Sequence, residues 1–116
     1  MPTIQQLIQF LIANNNVGSN SAITAYNLAS HFGISDGGQE VPMRNVIRDA
    51  ISAGELIGSS NQGFYIINTI QELDENLDSL TSRAEGILNR RRNMMNSWNN
   101  LNNANQTLKT DLFVKP

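Results

Sequence analysis

From Ile70 onward, apolar residues return at alternating spacings of three and four. One set is Ile70, Leu77, Ala84, Arg91, Trp98, Asn105 and Leu112; the other is Leu73, Leu80, Ile87, Met94, Leu101 and Leu108. The second set is apolar throughout, and the first breaks at Arg91 and Asn105. Such spacing over more than three heptads predicts a helix with an apolar seam along one side. A helix from 70 to about 103 is roughly 50 Å long at about 1.5 Å per residue. With 116 residues the chain is one domain by length, too small to cover such a helix. The distal half therefore needs another surface, most simply a second copy of the chain. The residues expected at that dimer seam are Leu73, Leu77, Leu80, Ala84, Ile87, Met94, Trp98 and Leu101. A polar residue at one seam position, Arg91 or Asn105, would set the register. The alternative keeps the helix within one chain, folded back over the N-terminal part or fraying after Trp98. Seven of the 17 asparagines fall between Asn93 and Asn105, and asparagine favours turns over helix.

The start of this helix has its own signals. Thr69 (or Asn68) caps it, with Glu72 reaching back as in a capping box. Glu72, Asp74 and Glu75 suit the first turns, where the helix dipole favours negative charge.

Upstream, shorter elements precede it. Ile4, Leu7, Ile8, Leu11 and Ile12 form one helical stripe, capped by Thr3 and stopped by Asn14-Asn15-Asn16 and Gly18. Ile23 is expected to pair briefly with a later hairpin. Thr24 caps a second helix, Ala25 to Phe32, with Leu28, Ala29 and Phe32 inward and Gly33 as its stop. Ile34 plugs the core after the turn, and Ser35–Gly38 reads as a loop. A third helix starts between Gln39 and Pro42 and ends near Ala53, before Gly54. Met43, Val46, Ile47, Ala50 and Ile51 share its inner stripe; Arg44, Asn45, Arg48, Asp49 and Ser52 share the opposite face. Glu55–Gly58 and Phe64–Ile67 are β-rich, with Ser59–Gly63 as the turn between them.

Two helices, a glycine stop and a hairpin, over Ile23 to Ile67, follow the order of a winged helix-turn-helix. Residues 4–68 resemble that family, through LASHFGIS at the second helix and turn and ELIGSSNQGFYII at the wing. The following run, GFYIINTIQELDENLDSLTSRAEGILNRRRNM, is similar to the tails of small winged-helix proteins of bacteriophages and bacteria. It carries a Leu…Leu-x-x-Arg-Ala-x-x-Ile/Leu pattern at Leu77, Leu80, Arg83, Ala84, Ile87 and Leu88. The expected fold is mainly α with a small antiparallel β-hairpin. Residues 1–68 form the winged domain, 69–105 the long C-terminal, coiled-coil-like helix, and 106–116 a tail.

The resemblance implies double-stranded DNA as partner. Carried over by position, the contacts are Arg44, Asn45, Arg48 and Ser52 on helix 39–53, and Ser59, Ser60, Asn61 and Gln62 on wing 58–63. Arg and Asn are the side chains that bond bidentately to guanine and adenine edges in the major groove. Arg90, Arg91 and Arg92 are candidates for phosphate contacts, or for pairing with Glu85 or a partner's carboxylates. Two such subunits would place their third helices in successive major grooves, as a phage or bacterial regulator or replication accessory factor.

Charge cuts against strong non-specific binding, which comes mainly from phosphate neutralisation. The net charge is −2, and there is no basic residue from Asp49 to Ser82. Residues 1–68 carry two arginines against four carboxylates; residues 69–116 carry six of each sign. An assembly adaptor, built on the same domain and the long helix, is the alternative. Catalysis is not expected. With no cysteine and one histidine, thiolate chemistry, disulfides and Cys- or multi-His metal sites are excluded, and no cofactor is implied. Asp74 and Asp78, four apart, read as a solvated helix face. No apolar run approaches the roughly 18 residues of a membrane span. The N-terminus has no basic stretch ahead of its apolar residues, so a cytoplasmic protein is expected.

Overall fold

The structure, a computed structural model, describes residues 1–34 and 40–114. The chain divides into two compact units, Met1–Asn76 and Leu77–Pro116. It is mainly helical, with one two-stranded antiparallel sheet and a long C-terminal helix.

In the first unit, α1 spans Ile4–Ala13 behind a complete capping box. The Gln6 amide donates to Thr3 Oγ1 at 3.1 Å, and the Thr3 amide donates back to Gln6 Oε1 at 2.9 Å. Leu7 and Leu11 are fully buried, and Ile4 and Ile8 pack beside them. Ile12, expected on the same stripe, is exposed; Phe10 turns to the core margin instead. There it stacks on His31, with ring centroids 3.9 Å apart, and meets Phe32 edge-on.

A short 3-10 turn, Ser19–Ser21, precedes α2, Ala25–His31. Thr24 caps α2 by accepting from the Asn27 amide. The helix ends one residue earlier than expected, at His31, with Phe32 as its cap and Gly33 at φ 68. Ile34 then packs on the core. The loop expected at Ser35–Gly38 lies outside the described residues.

The third helix, α3, covers Val41–Ser52 with Pro42 in its first turn. Met43, Ile47 and Ala50 are buried against Leu7, Leu11 and Leu28, and Val46 is partly covered. Ile51, at the edge of the stripe, is 47% exposed. Glu40 caps α3 in the left-handed region (φ 55) and is itself buried.

The hairpin differs from the expected one. Its strands are β1, Ile57–Ser60, and β2, Gly63–Ile66, so only Asn61 and Gln62 connect them. Ser59 faces Phe64 and Ser60 faces Gly63 within the ladder. Ser59, Ser60 and Gly63 are therefore strand residues and not turn residues. The pairing is decided by what lies beside β2. Ile23 exchanges two backbone hydrogen bonds with Phe64, both 2.8 Å, as expected for a brief pairing. The Gly18 amide donates to the Ile66 carbonyl, and the Ile66 amide donates to the Asn16 carbonyl. Gly63 sits at φ 126, and a Cβ there would fall on the Ile23 carbonyl, so only glycine permits this approach.

The long helix, α4, spans Ile70–Leu101. Thr69 Oγ1 accepts from the Glu72 amide, and Glu72 Oε1 accepts from the amides of Asn68 and Thr69. The other carboxylate oxygen of Glu72 accepts from the Ser19 amide at 2.7 Å. These donors, Ser19 foremost and then Asn68, hold the Glu72 carboxyl below its ordinary pKa.

In the second unit, α4 is continuous to Leu101 and does not fray at Trp98. Asn105, Leu108 and Leu112 of the heptad register lie beyond the helix, so the helical seam ends at Leu101. The following chain turns at Asn102–Asn105 and runs back along the helix. Trp98 Nε1 donates to the Asn105 carbonyl (3.0 Å), and the Thr107 amide donates to Asn99 Oδ1 (3.0 Å). Arg91 donates to the Thr110 carbonyl (2.7 Å), and Arg92 pairs with Asp111 at 2.6 Å. No described helix is long and apolar enough to cross a membrane.

Candidate nucleic-acid interface

Burial of Met43, Ile47 and Ala50 fixes the rotation of α3. It leaves Arg44, Asn45, Arg48, Asp49 and Ser52 on the exposed side. Two of these side chains are joined: Arg48 Nη2 donates to Asn45 Oδ1 at 2.8 Å. The bond takes one of the two lone pairs of the Asn45 carbonyl oxygen and leaves the other, with the Asn45 amide N–H groups and the remaining Arg48 donors. Reading adenine bidentately needs both the acceptor and the donor of an asparagine, whereas guanine offers two acceptors, N7 and O6. The arrangement keeps both sets: Arg48 carries donors for guanine, and Asn45 keeps an acceptor lone pair and a donor for adenine.

Arg44 lies on the hairpin side of the same face. Its guanidinium carbon is 5.8 Å from the centroid of the Phe64 ring, within cation–π range. One surface thus carries Arg44, Asn45 and Arg48 next to β2. At the hairpin tip, Asn61 and Gln62 are exposed, as are Ser59 and Ser60. The Gln62 amide donates to Ser60 Oγ at 3.1 Å. The Ser59 amide is not open to a ligand, because it donates to Asn76 Oδ1 at 2.9 Å.

Asn76 is the site residue that sequence reasoning missed. Its Nδ2 donates to the Tyr65 hydroxyl (3.0 Å) and to the Glu72 carbonyl (2.8 Å). One side chain thereby fastens both strands of the hairpin to the first turns of α4. The signal for it is Gly58, which faces the buried Tyr65 across the ladder. A Cβ at Gly58 would lie 2.7 Å from Tyr65 Cζ and 2.8 Å from Asn76 Nδ2. A strand glycine marks such close approach.

The arginine cluster splits in three directions. Arg91 and Arg92 are committed to the Thr110 carbonyl and to Asp111. Arg92 also lies over the Phe113 ring, at 5.1 Å. Its partner is thus Asp111 and not Glu85. Its hydrogen bond is the main reason that the Asp111 carboxyl sits below its ordinary pKa. Arg90 is exposed.

The expected seam residues are brought onto one line. Leu77, Leu80, Ile87, Met94, Trp98 and Leu101 are between 49% and 84% exposed, and Ala84 is exposed among them. Leu73 is half-buried. Among the described residues no group of three or more His, Cys, Asp or Glu side chains is placed to hold a metal ion. Compared with protein-family models, curated proteins and solved structures, the chain finds no match.

Proposed function

We propose that the protein is a non-enzymatic DNA-binding protein of the winged helix-turn-helix kind. It acts as a dimer, in the role of a bacterial or phage regulator or replication accessory factor, in the cytoplasm. The observation that carries this reading is the exposed face of α3, where Arg44 and the joined Asn45–Arg48 pair stand beside the hairpin. Helix α3 enters the major groove, and Asn61 and Gln62 at the tip of the wing reach the backbone. Pairing of two subunits doubles the two arginines to four.

A second reading, a protein–protein assembly adaptor, is favoured by two features. One is the apolar line on α4. The other is the charge of Met1–Asn76, two arginines against seven carboxylates, or −5.

Fluorescence anisotropy of a labelled random-sequence duplex, titrated at low and at physiological salt, separates the two. The DNA reading expects binding that weakens steeply with salt. It also expects Arg44→Ala with Arg48→Ala to abolish that binding while the circular dichroism spectrum is unchanged. Undiminished binding by the folded double variant overturns the assignment of α3. No binding by the unmodified protein to random duplex, nor to any member of a randomised pool, leaves the adaptor.

A further inference from the structure

We propose that α4 pairs with α4 of a second copy in antiparallel orientation, with the crossing point beside Asn89. The inference rests on the dimer reading above and specifies its geometry. From Leu77 to Leu101 the exposed line has the 3-4 spacing of a coiled-coil seam. The returning tail lies along one flank of it and touches the seam at Arg91 and Trp98: Leu88, Arg91, Arg92, Met95 and Asn99 are half-buried and Trp98 Nε1 donates to the Asn105 carbonyl, while Leu80, Ala84, Ile87, Met94 and Leu101 stay exposed and Trp98 is 49% exposed. The seam is about 37 Å long at about 1.5 Å per residue, some three and a half heptads.

Side-chain size chooses the direction. In a parallel pair each seam residue meets its own copy. Ala84 would face Ala84 and leave a void, whereas Trp98 would face Trp98 in the same stripe. Facing positions of matched large and small residues pack without voids or strain. Turned antiparallel about Asn89, every seam residue meets a complement. Leu77 meets Leu101, Leu80 meets Trp98, Ala84 meets Met94 and Ile87 meets Arg91, and the symmetry repeats each contact. The alanine is filled by the long flexible methionine, and each tryptophan has a leucine opposite.

Charge points the same way. A parallel pair sets Arg91 against Arg91, and Glu72, Asp74, Glu75 and Asp78 level with their own copies. Like charges at that spacing repel. The antiparallel pair sets Asp78 level with the partner's Asn100 and carries Glu72, Asp74 and Glu75 past the end of the partner helix at Leu101, away from their own copies. Arg91 then lays its aliphatic stem against Ile87, with its charged end held at the Thr110 carbonyl, off the seam. Two like-charge approaches persist: Arg90 with Arg90 at the rim, exposed and screened by salt, and Arg91 with Arg91, offset by about 6 Å along the axis at about 1.5 Å per residue.

The chain has no cysteine, so single labels can be placed at will. Asp78→Cys and Asn100→Cys sit on exposed positions off the seam. Spin-labelled full-length protein is measured by pulsed dipolar spectroscopy, with light scattering for mass and circular dichroism for helix content. The antiparallel pair predicts axial separations of about 33 Å for 78 with 78 and for 100 with 100, at about 1.5 Å per residue. In a mixture of the two variants, 78 and 100 lie level and give a short distance. The parallel arrangement reverses all three results and overturns the proposal. A dimer with any other distance pattern overturns it too. A monomeric mass with no intermolecular coupling removes the dimer reading itself, and the orientation with it.

Discussion

Gly58 and Asn76 give the sharpest test of how the hairpin is held. In Asn76→Ala, the Ser59 amide loses its acceptor and the buried Tyr65 hydroxyl loses its donor. At about 1 kcal/mol for each such bond, the cost is about 2 kcal/mol. In Gly58→Ala, the new methyl meets Tyr65 Cζ at 2.7 Å and Asn76 Nδ2 at 2.8 Å. Tyr65 is only 1% exposed and cannot retreat; Asn76 is the end of a flexible side chain and can. The substitution therefore expels Asn76 and also crowds the ring, costing about 3 kcal/mol, at the upper end of overpacking. Both variants lose the same Asn76 bonds. The double variant should cost about 3 kcal/mol rather than the additive value of about 5. The assay is amide hydrogen exchange at Phe64 and Ile66, whose N–H groups donate to the Ile23 and Asn16 carbonyls. Each 1.4 kcal/mol is about tenfold, so Asn76→Ala speeds exchange roughly 30-fold. Additive costs, or a Gly58→Ala effect under about 0.5 kcal/mol, the size of an ordinary surface change, would refute the fastening of hairpin to helix through Asn76.

Other perturbations follow from the same geometry. Leu11→Ala empties a fully buried site between helices and should lower stability by about 3 kcal/mol in urea unfolding. Thr3→Ala removes the side-chain half of a capping box, the Thr3 Oγ1 acceptor of the Gln6 amide, and should cost about 1 kcal/mol, seen first as faster exchange in the first turn of α1. Glu72 has a lowered carboxyl pKa, so its stabilisation is present above the unfolded value near 4.5 and is lost as pH falls through the lower folded value. Exchange protection of the Ser19 and Asn68 amides, corrected for intrinsic rate, should fall over that acid range, and Glu72→Gln should abolish the step. Asp111→Asn removes the Arg92 ion pair; NMR relaxation should show residues 107–113 gaining fast motion while helix content stays unchanged. A tail as rigid as before would show that the Thr110 and Thr107 backbone contacts suffice.

Local pattern made the helices legible. Thr3, Thr24 and Thr69 cap the helices they precede, and Gly33 stops one, because caps and stops are short-range chemistry. The inner stripes were legible except at their edges: Ile12 and Ile51 occupy periodic positions, yet among the described residues no neighbouring element covers them. The hairpin register was not legible, since Ser59 and Ser60 have turn composition. Their strand geometry depends on Asn76, 17 residues downstream of Ser59, and on Ile23 beside β2. The return of the tail was not legible for the same reason. Its asparagines favour fraying, but a tryptophan N–H, two arginines and an aspartate bind it back across 7 to 19 residues. For the candidate site, residue type and face were visible at Arg44, Asn45 and Arg48, whereas the Arg48–Asn45 bond that joins two of them was not.

The way the hairpin is bordered bears on how the protein behaves when concentrated. A two-stranded sheet ordinarily offers two rows of unpaired amides, and each can recruit an extended segment from a neighbouring molecule. Here the Ser59 amide on the outer side of β1 is occupied by Asn76, and the Phe64 and Ile66 amides of β2 are occupied by Ile23 and Asn16. Strand addition, the usual route from a small sheet to fibrous aggregates, therefore has little to grip on either side. Loss of solubility at high concentration is expected to proceed through the greasy line on α4, producing helical oligomers that dissociate on dilution rather than cross-β material that does not.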